Sequence, residues 1–147
     1  MFGIMSGDMA RKNIKAAVRT PPRRVVIALR MAGIAGQDKL NGVFDYLGAA
    51  GRRWQLIIYR TKHEFTPDVV NNELSRGADG FIVGIPGADD ALSLLAKSDV
   101  PTVVMNVAGG GIERRERRIA FVKSDSTAVG REAANALLKQ GIYKSYG

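Results

Sequence analysis

The chain contains no cysteine, which excludes a disulfide framework, thiolate metal ligation and a cysteine nucleophile together. Its single histidine, His63, lies in a charged stretch with no second His and no Cys to complete a metal site. The expected role of His63 is that of a surface residue, and no metal site is expected. No segment approaches the roughly 20 consecutive apolar residues of a membrane-spanning helix, so no membrane partner is expected. The first residues carry charges and lack the continuous apolar core of a secretory signal. The expected location is therefore the cytoplasm.

Catalytic signatures are missing as well. Gly33-Ile34-Ala35-Gly36 follows the first apolar run, but its spacing is not G-x-G-x-x-G, and no acidic residue closes the second run at Tyr59-Arg60. There is no G-x-x-x-x-G-K-[ST] phosphate loop and no G-x-S-x-G nucleophile elbow. Asp89-Asp90 opens a helical segment, where two carboxylates favourably meet the positive end of the helix dipole, a structural role rather than acid-base chemistry. The expectation is a protein that is not an enzyme, with no catalytic residues and no cofactor.

The 147 residues present are 46% hydrophobic and 24% charged, the balance of one globular unit able to bury a core. The net charge of +8 is unevenly spread. Residues 1–24 hold Arg11, Lys12, Lys15, Arg19, Arg23 and Arg24 against Asp8 alone. A second group, Arg114, Arg115, Arg117 and Arg118, stands beside Glu113 and Glu116 in a glycine-rich stretch. Neither group is interleaved with aromatic residues for base stacking, so solvated segments are as good a reading as phosphate contact.

From residue 23 onward, apolar runs alternate with amphipathic segments. The run 23–30 holds Val25, Val26, Ile27 and Leu29 without polar alternation, the pattern of a strand covered on both faces. Leu40, Val43, Phe44 and Leu47 follow at helical spacing and end before Gly51. The run 54–60 is a second strand. Residues 68–76 form a second helix, with Thr66 as N-cap, Pro67 at the first helical position and Gly77 beyond its end. Strands at 80–85, 101–107 and 118–124 follow, with helical segments at 88–98 and from Val129 to Gly141. In the last helix, Val129, Ala133, Ala136 and Leu137 share a face. This alternation predicts an α/β fold with an open parallel sheet flanked by helices on both faces. The domain reading is a basic tail over 1–23, one lobe over 24–141, and the start of a further strand over 142–147, so that the chain is expected to stop within a larger fold.

Ligands of such sheets bind outside the carboxyl ends of the strands. The polar side chains that follow the apolar runs are Arg30, Gln37, Asp38, Arg60, Asn106 and Asp125. Guanidinium, carboxamide and carboxylate groups are planar and can each engage two adjacent hydroxyls of a carbohydrate. Arg30 and Arg60 are equally readable as loop residues or carboxylate partners, and Asp125 also as the N-cap of the last helix. Trp54 begins a strand away from that edge and reads as a packing residue.

The order and spacing of KLNGVFDYLGAAG, WQLIIYR, RGADGFIVGIPGADDAL, DVPTVVMNV and RIAFVKSDSTAVGREAANALLKQG resemble the first lobe of type I periplasmic-binding-protein-like domains. That family includes sugar-binding proteins and the lactose-repressor family. The resemblance covers residues 24–147 and is strongest in the segments 100–106 and 122–130. It implies two similar lobes, a small effector in the cleft between them, and dimerisation in the regulators. By position, Asn106 and Asp125 match polar residues that contact ligand hydroxyls, and residues 30–38 match a ligand-touching first loop. That loop lacks the aromatic residues that often stack on a sugar. The layout is most similar to xylose-operon regulators of the AraC type, which implies a monosaccharide effector, a homodimer, and DNA contacted through a helix-turn-helix outside this chain. A transport binding protein remains an alternative, as does a flavodoxin-like enzyme or response domain.

Overall fold

A computed structural model describes residues 21–106 and 118–140. Five strands, β1 (Arg23–Leu29), β2 (Trp54–Tyr59), β3 (Gly80–Gly84), β4 (Thr102–Met105) and β5 (Ile119–Val122), form one sheet in the order β2-β1-β3-β4-β5. Every neighbouring pair is parallel. Four helices accompany them: α1 (Ile34–Ala49), α2 (Pro67–Ser75), α3 (Asp89–Lys97) and α4 (Ser126–Lys139). The α/β class and parallel sheet expected from the alternation are present.

The strand order explains the layering. The chain leaves β1 in one direction to reach β2, then turns back past β1 to build β3 and β4. Parallel crossovers are right-handed, so reversing direction puts the later helices on the opposite face. Accordingly, Leu40 and Val43 of α1 pack on Val25, Ile27 and Leu29. On the other face, Val70 of α2 and Leu92 and Leu95 of α3 pack on Val26, Ala28, Phe81 and Val104. Alternate side chains of β1 point to opposite faces, and five consecutive residues of that strand are buried. This is why its run is apolar without alternation. Each fully buried aliphatic side chain contributes about 1.5–3 kcal/mol relative to exposure.

Local chemistry sets the helix ends. Thr66 is extended and its hydroxyl accepts from Val69 N–H at 3.3 Å, while Pro67 occupies a position whose N–H has no intrahelical partner. Gly77 then turns the chain out of α2 at φ +82°. α1 starts earlier than its apolar stripe suggests, at Ile34 rather than near Leu40. The reason is Gly36: a Cβ there would stand 2.1 Å from the Arg30 carbonyl oxygen, so only glycine lets the first turn rest on the strand end. Gln37 and Asp38 are therefore helical rather than part of a first-strand loop.

The opposite end of the sheet is thinly covered. α4 is a helix as expected, yet none of its residues is buried. Val129 is 67% exposed and Leu137 43%, so the shared apolar face of this helix packs on no described core. The expected strand over 142–147, the stretch 107–117 with most of the second arginine group, and all but the last three residues of the tail expected over 1–23 lie outside the described residues; of those three, Arg23 already opens β1. Among the described residues no helix is long and apolar enough to cross a membrane.

Candidate functional site

In a doubly wound sheet the crevice forms where successive connections leave in opposite directions. That point lies between β1 and β3. An open cavity of about 510 Å³ occupies it, lined by residues 30–32 after β1, 60–62 after β2 and 85–86 after β3. Its volume falls within the roughly 300–1,000 Å³ typical of small-molecule sites.

The cavity walls follow from backbone packing. Ala28 of β1 pairs with Tyr59 of β2, so Arg30 and Arg60 emerge from adjacent strands at the same edge. The α1 first turn lies against the Arg30 carbonyl at Gly36. Arg60 N–H donates to Glu64 Oε2 at 2.7 Å, and Glu64 N–H to Thr61 Oγ1 at 3.2 Å, closing the loop after β2 into a tight turn. The stem of Lys62 reaches toward the β3 loop: a Cβ on Gly87 would lie 3.6 Å from Lys62 Cδ. Gly87 itself has φ +80°.

Three cationic residues, Arg30, Arg60 and Lys62, thus line one cavity together with Thr61, and among the described residues no carboxylate lines it. Among the described residues none of the three enters an ion pair. A second hollow of about 400 Å³ adjoins the first through Met31 and Arg60, and Gln37 lines it. The structure therefore brings Arg30, Arg60 and Gln37 to connected spaces. Asp38 is exposed on α1 and borders neither of them.

Asn106 and Asp125 do sit at carboxyl ends of strands, but on β4 and β5, roughly 10 and 15 Å from β1 at ordinary strand spacing. They do not line either hollow. Both have structural work: Asn106 Oδ1 accepts from Ser124 N–H at 2.6 Å and from the Ser124 hydroxyl at 3.2 Å, tying β4 to β5. Asn106 adopts φ 53°, a left-handed conformation that Asn tolerates better than most residues. Asp125 caps α4, its Oδ1 accepting from Ala128 N–H at 2.9 Å.

Thr61 and Lys62 lie in the segment that follows the second apolar run, at the expected ligand edge, but nothing in their spacing singles them out beside Arg60. His63 is exposed, and among the described residues no group of three or more His, Cys, Asp and Glu gathers as for a metal. Trp54 is half-buried against the Val25 cluster, at the amino end of its strand. No family model and no curated protein matches this chain.

Proposed function

We propose that the chain is the effector-sensing lobe of a bacterial DNA-binding transcription regulator, a cytoplasmic protein whose small polar effector, a monosaccharide, contacts the carboxyl edge of the sheet. The observation that supports this reading is the cavity at the switch between β1 and β3, where Arg30 and Arg60 join an otherwise largely apolar lining. Its open side suits a ligand shared with a second lobe. The regulator part of the reading rests on the order of sequence segments, as do the homodimer and the helix-turn-helix outside this chain. Effector binding would favour one arrangement of the two lobes over another and so change the spacing of the attached DNA-binding parts.

Calorimetric titration of the chain with a panel of neutral and acidic monosaccharides tests the site. Saturable heat with at least one sugar, diminished in Arg60→Ala, is the expected result. A panel that gives no saturable heat anywhere sinks the reading.

A further inference from the structure

We infer that the effector carries an oxyanion, a phosphate ester or carboxylate on a small polyol, held by Arg30, Arg60 and Lys62. The inference rests on the effector-site reading above and narrows its ligand class. Three cationic residues from two loops line one cavity, and among the described residues no acidic side chain joins them. Like charges gathered in one concavity repel one another, and a bound anion relieves that repulsion. The nearest carboxylate in sequence, Glu64, is turned to the backbone N–H of Arg60.

The geometry suits an oxyanion better than a neutral sugar. Arg30 and Arg60 follow neighbouring strands, one residue out of register with each other, and a guanidinium offers parallel N–H donors matched to two oxygens of a carboxylate or phosphate. Lys62 supplies a compact charge from the side nearest the β3 loop. The Thr61 hydroxyl can donate to a third oxygen. An acceptor-rich lining is missing among the described residues: no Asp, Glu, Asn or Gln of these borders the cavity to take hydrogen bonds from sugar hydroxyls. The adjoining hollow with Gln37 and Asn41 offers carboxamides for the hydroxylated part of the same molecule. An anionic head between the arginines with a polyol body toward α1 is the resulting pose.

The test is an amide NMR titration of the chain with four probes: glucose 6-phosphate, glucuronate, glucose and inorganic phosphate, each at millimolar concentration. The expected result is that one of the two acidic sugars perturbs residues 30–32 and 60–62, binds roughly tenfold or more tightly than glucose, and weakens as salt rises. Which acidic sugar binds separates phosphate from carboxylate. Arg30→Gln and Arg60→Gln, both at exposed positions, are expected to weaken it by roughly tenfold each while the remaining spectrum is unchanged; Lys62→Gln provides a third variant if either disturbs folding. Glucose binding as tightly as the acidic sugars overturns the oxyanion assignment and leaves the effector reading standing. Inorganic phosphate binding as tightly as either acidic sugar removes the polyol part and with it the effector reading, while the anion site stands. Silence with all four probes overturns the inference.

Discussion

Arg24 Nη2 lies 2.7 Å from Glu73 Oε2, an ion pair that joins the start of the first strand to the end of the second helix. The other carboxylate oxygen of Glu73 accepts from the Tyr59 hydroxyl at 2.6 Å, so one buried carboxylate links β1, β2 and α2. Glu73 is 1% exposed, and a carboxylate so buried is tolerable only with such partners. Arg24 Nε is the one buried side-chain nitrogen or oxygen without a partner among the described residues, so the arginine depends on Glu73 for its compensation. Replacing Glu73 by Ala is expected to cost about 3 kcal/mol, because it strands a largely buried guanidinium. Urea unfolding of the variant beside Arg24→Leu/Glu73→Leu checks this, with the double variant recovering part of the loss.

The same cluster makes stability depend on pH at both ends. Burial opposes ionisation of Glu73, but hydrogen bonds from Tyr59 and Arg24 and the charge of Arg24 outweigh it and hold the carboxyl below its ordinary 4.5. A depressed folded value means the contribution is present above 4.5 and is lost as pH falls through the lower folded value. Burial, with the hydrogen bond to Glu73 and its charge, pushes the Tyr59 phenol up from 10.0 to about 12. A raised folded value means stability is intact below pH 10.0 and declines as pH rises toward about 12. Thermal unfolding across pH is expected to show both arms, with the acid arm flattened in Glu73→Gln and the alkaline arm removed in Tyr59→Phe.

Two glycines of α1 are expected to respond in opposite directions. Gly36→Ala places a methyl group on the Arg30 carbonyl and must displace the helix or the strand end, a loss of about 1–3 kcal/mol. Gly42 lies in the same helix with nothing within 4 Å of a built Cβ, so Gly42→Ala is expected to gain about 0.5–1 kcal/mol. Denaturation midpoints of the pair decide it, and equal signs would contradict the close approach at Gly36.

Substitutions at Asn106 and Asp125 should be read first as stability changes. Asp125→Ala removes the cap of α4 at a cost of about 1 kcal/mol. Asn106→Ala loses the two Ser124 hydrogen bonds and strains a φ of 53°, whereas Asn106→Gly relieves the strain and should be the milder change. Effector affinity measured beside stability separates a contact from a clip: unchanged affinity in both Ala variants leaves these residues with structural roles only.

The exposed face of α4 predicts indifference. Leu138→Ser is expected to change stability by less than about 0.5 kcal/mol, while Leu95→Ala, in the core beneath α3, is expected to cost about 2–5 kcal/mol. Comparable losses at the two positions would mean that α4 packs on a core after all.

The amino-acid order by itself determined the elements. Five consecutive buried positions in β1, the Thr66-Pro67 start of α2 and the glycine beyond its end are local signals, because strand burial, helix caps and left-handed turns depend on residues a few positions apart. It also marked the strand ends where Arg30 and Arg60 stand, since ligand edges of parallel sheets follow the strands. Which of the six polar candidates share a space was decided only by tertiary structure. Strand order sets β4 and β5 apart from β1, so Asn106 bonds to Ser124 and Asp125 caps α4 while Arg30, Arg60 and Gln37 gather around the switch point. The Arg24, Glu73 and Tyr59 cluster was equally hidden, because its members are up to 49 residues apart and a basic residue beside a basic tail reads as solvated. Pairings between distant segments are set by the crossing of chains over the sheet, and no local pattern encodes that crossing.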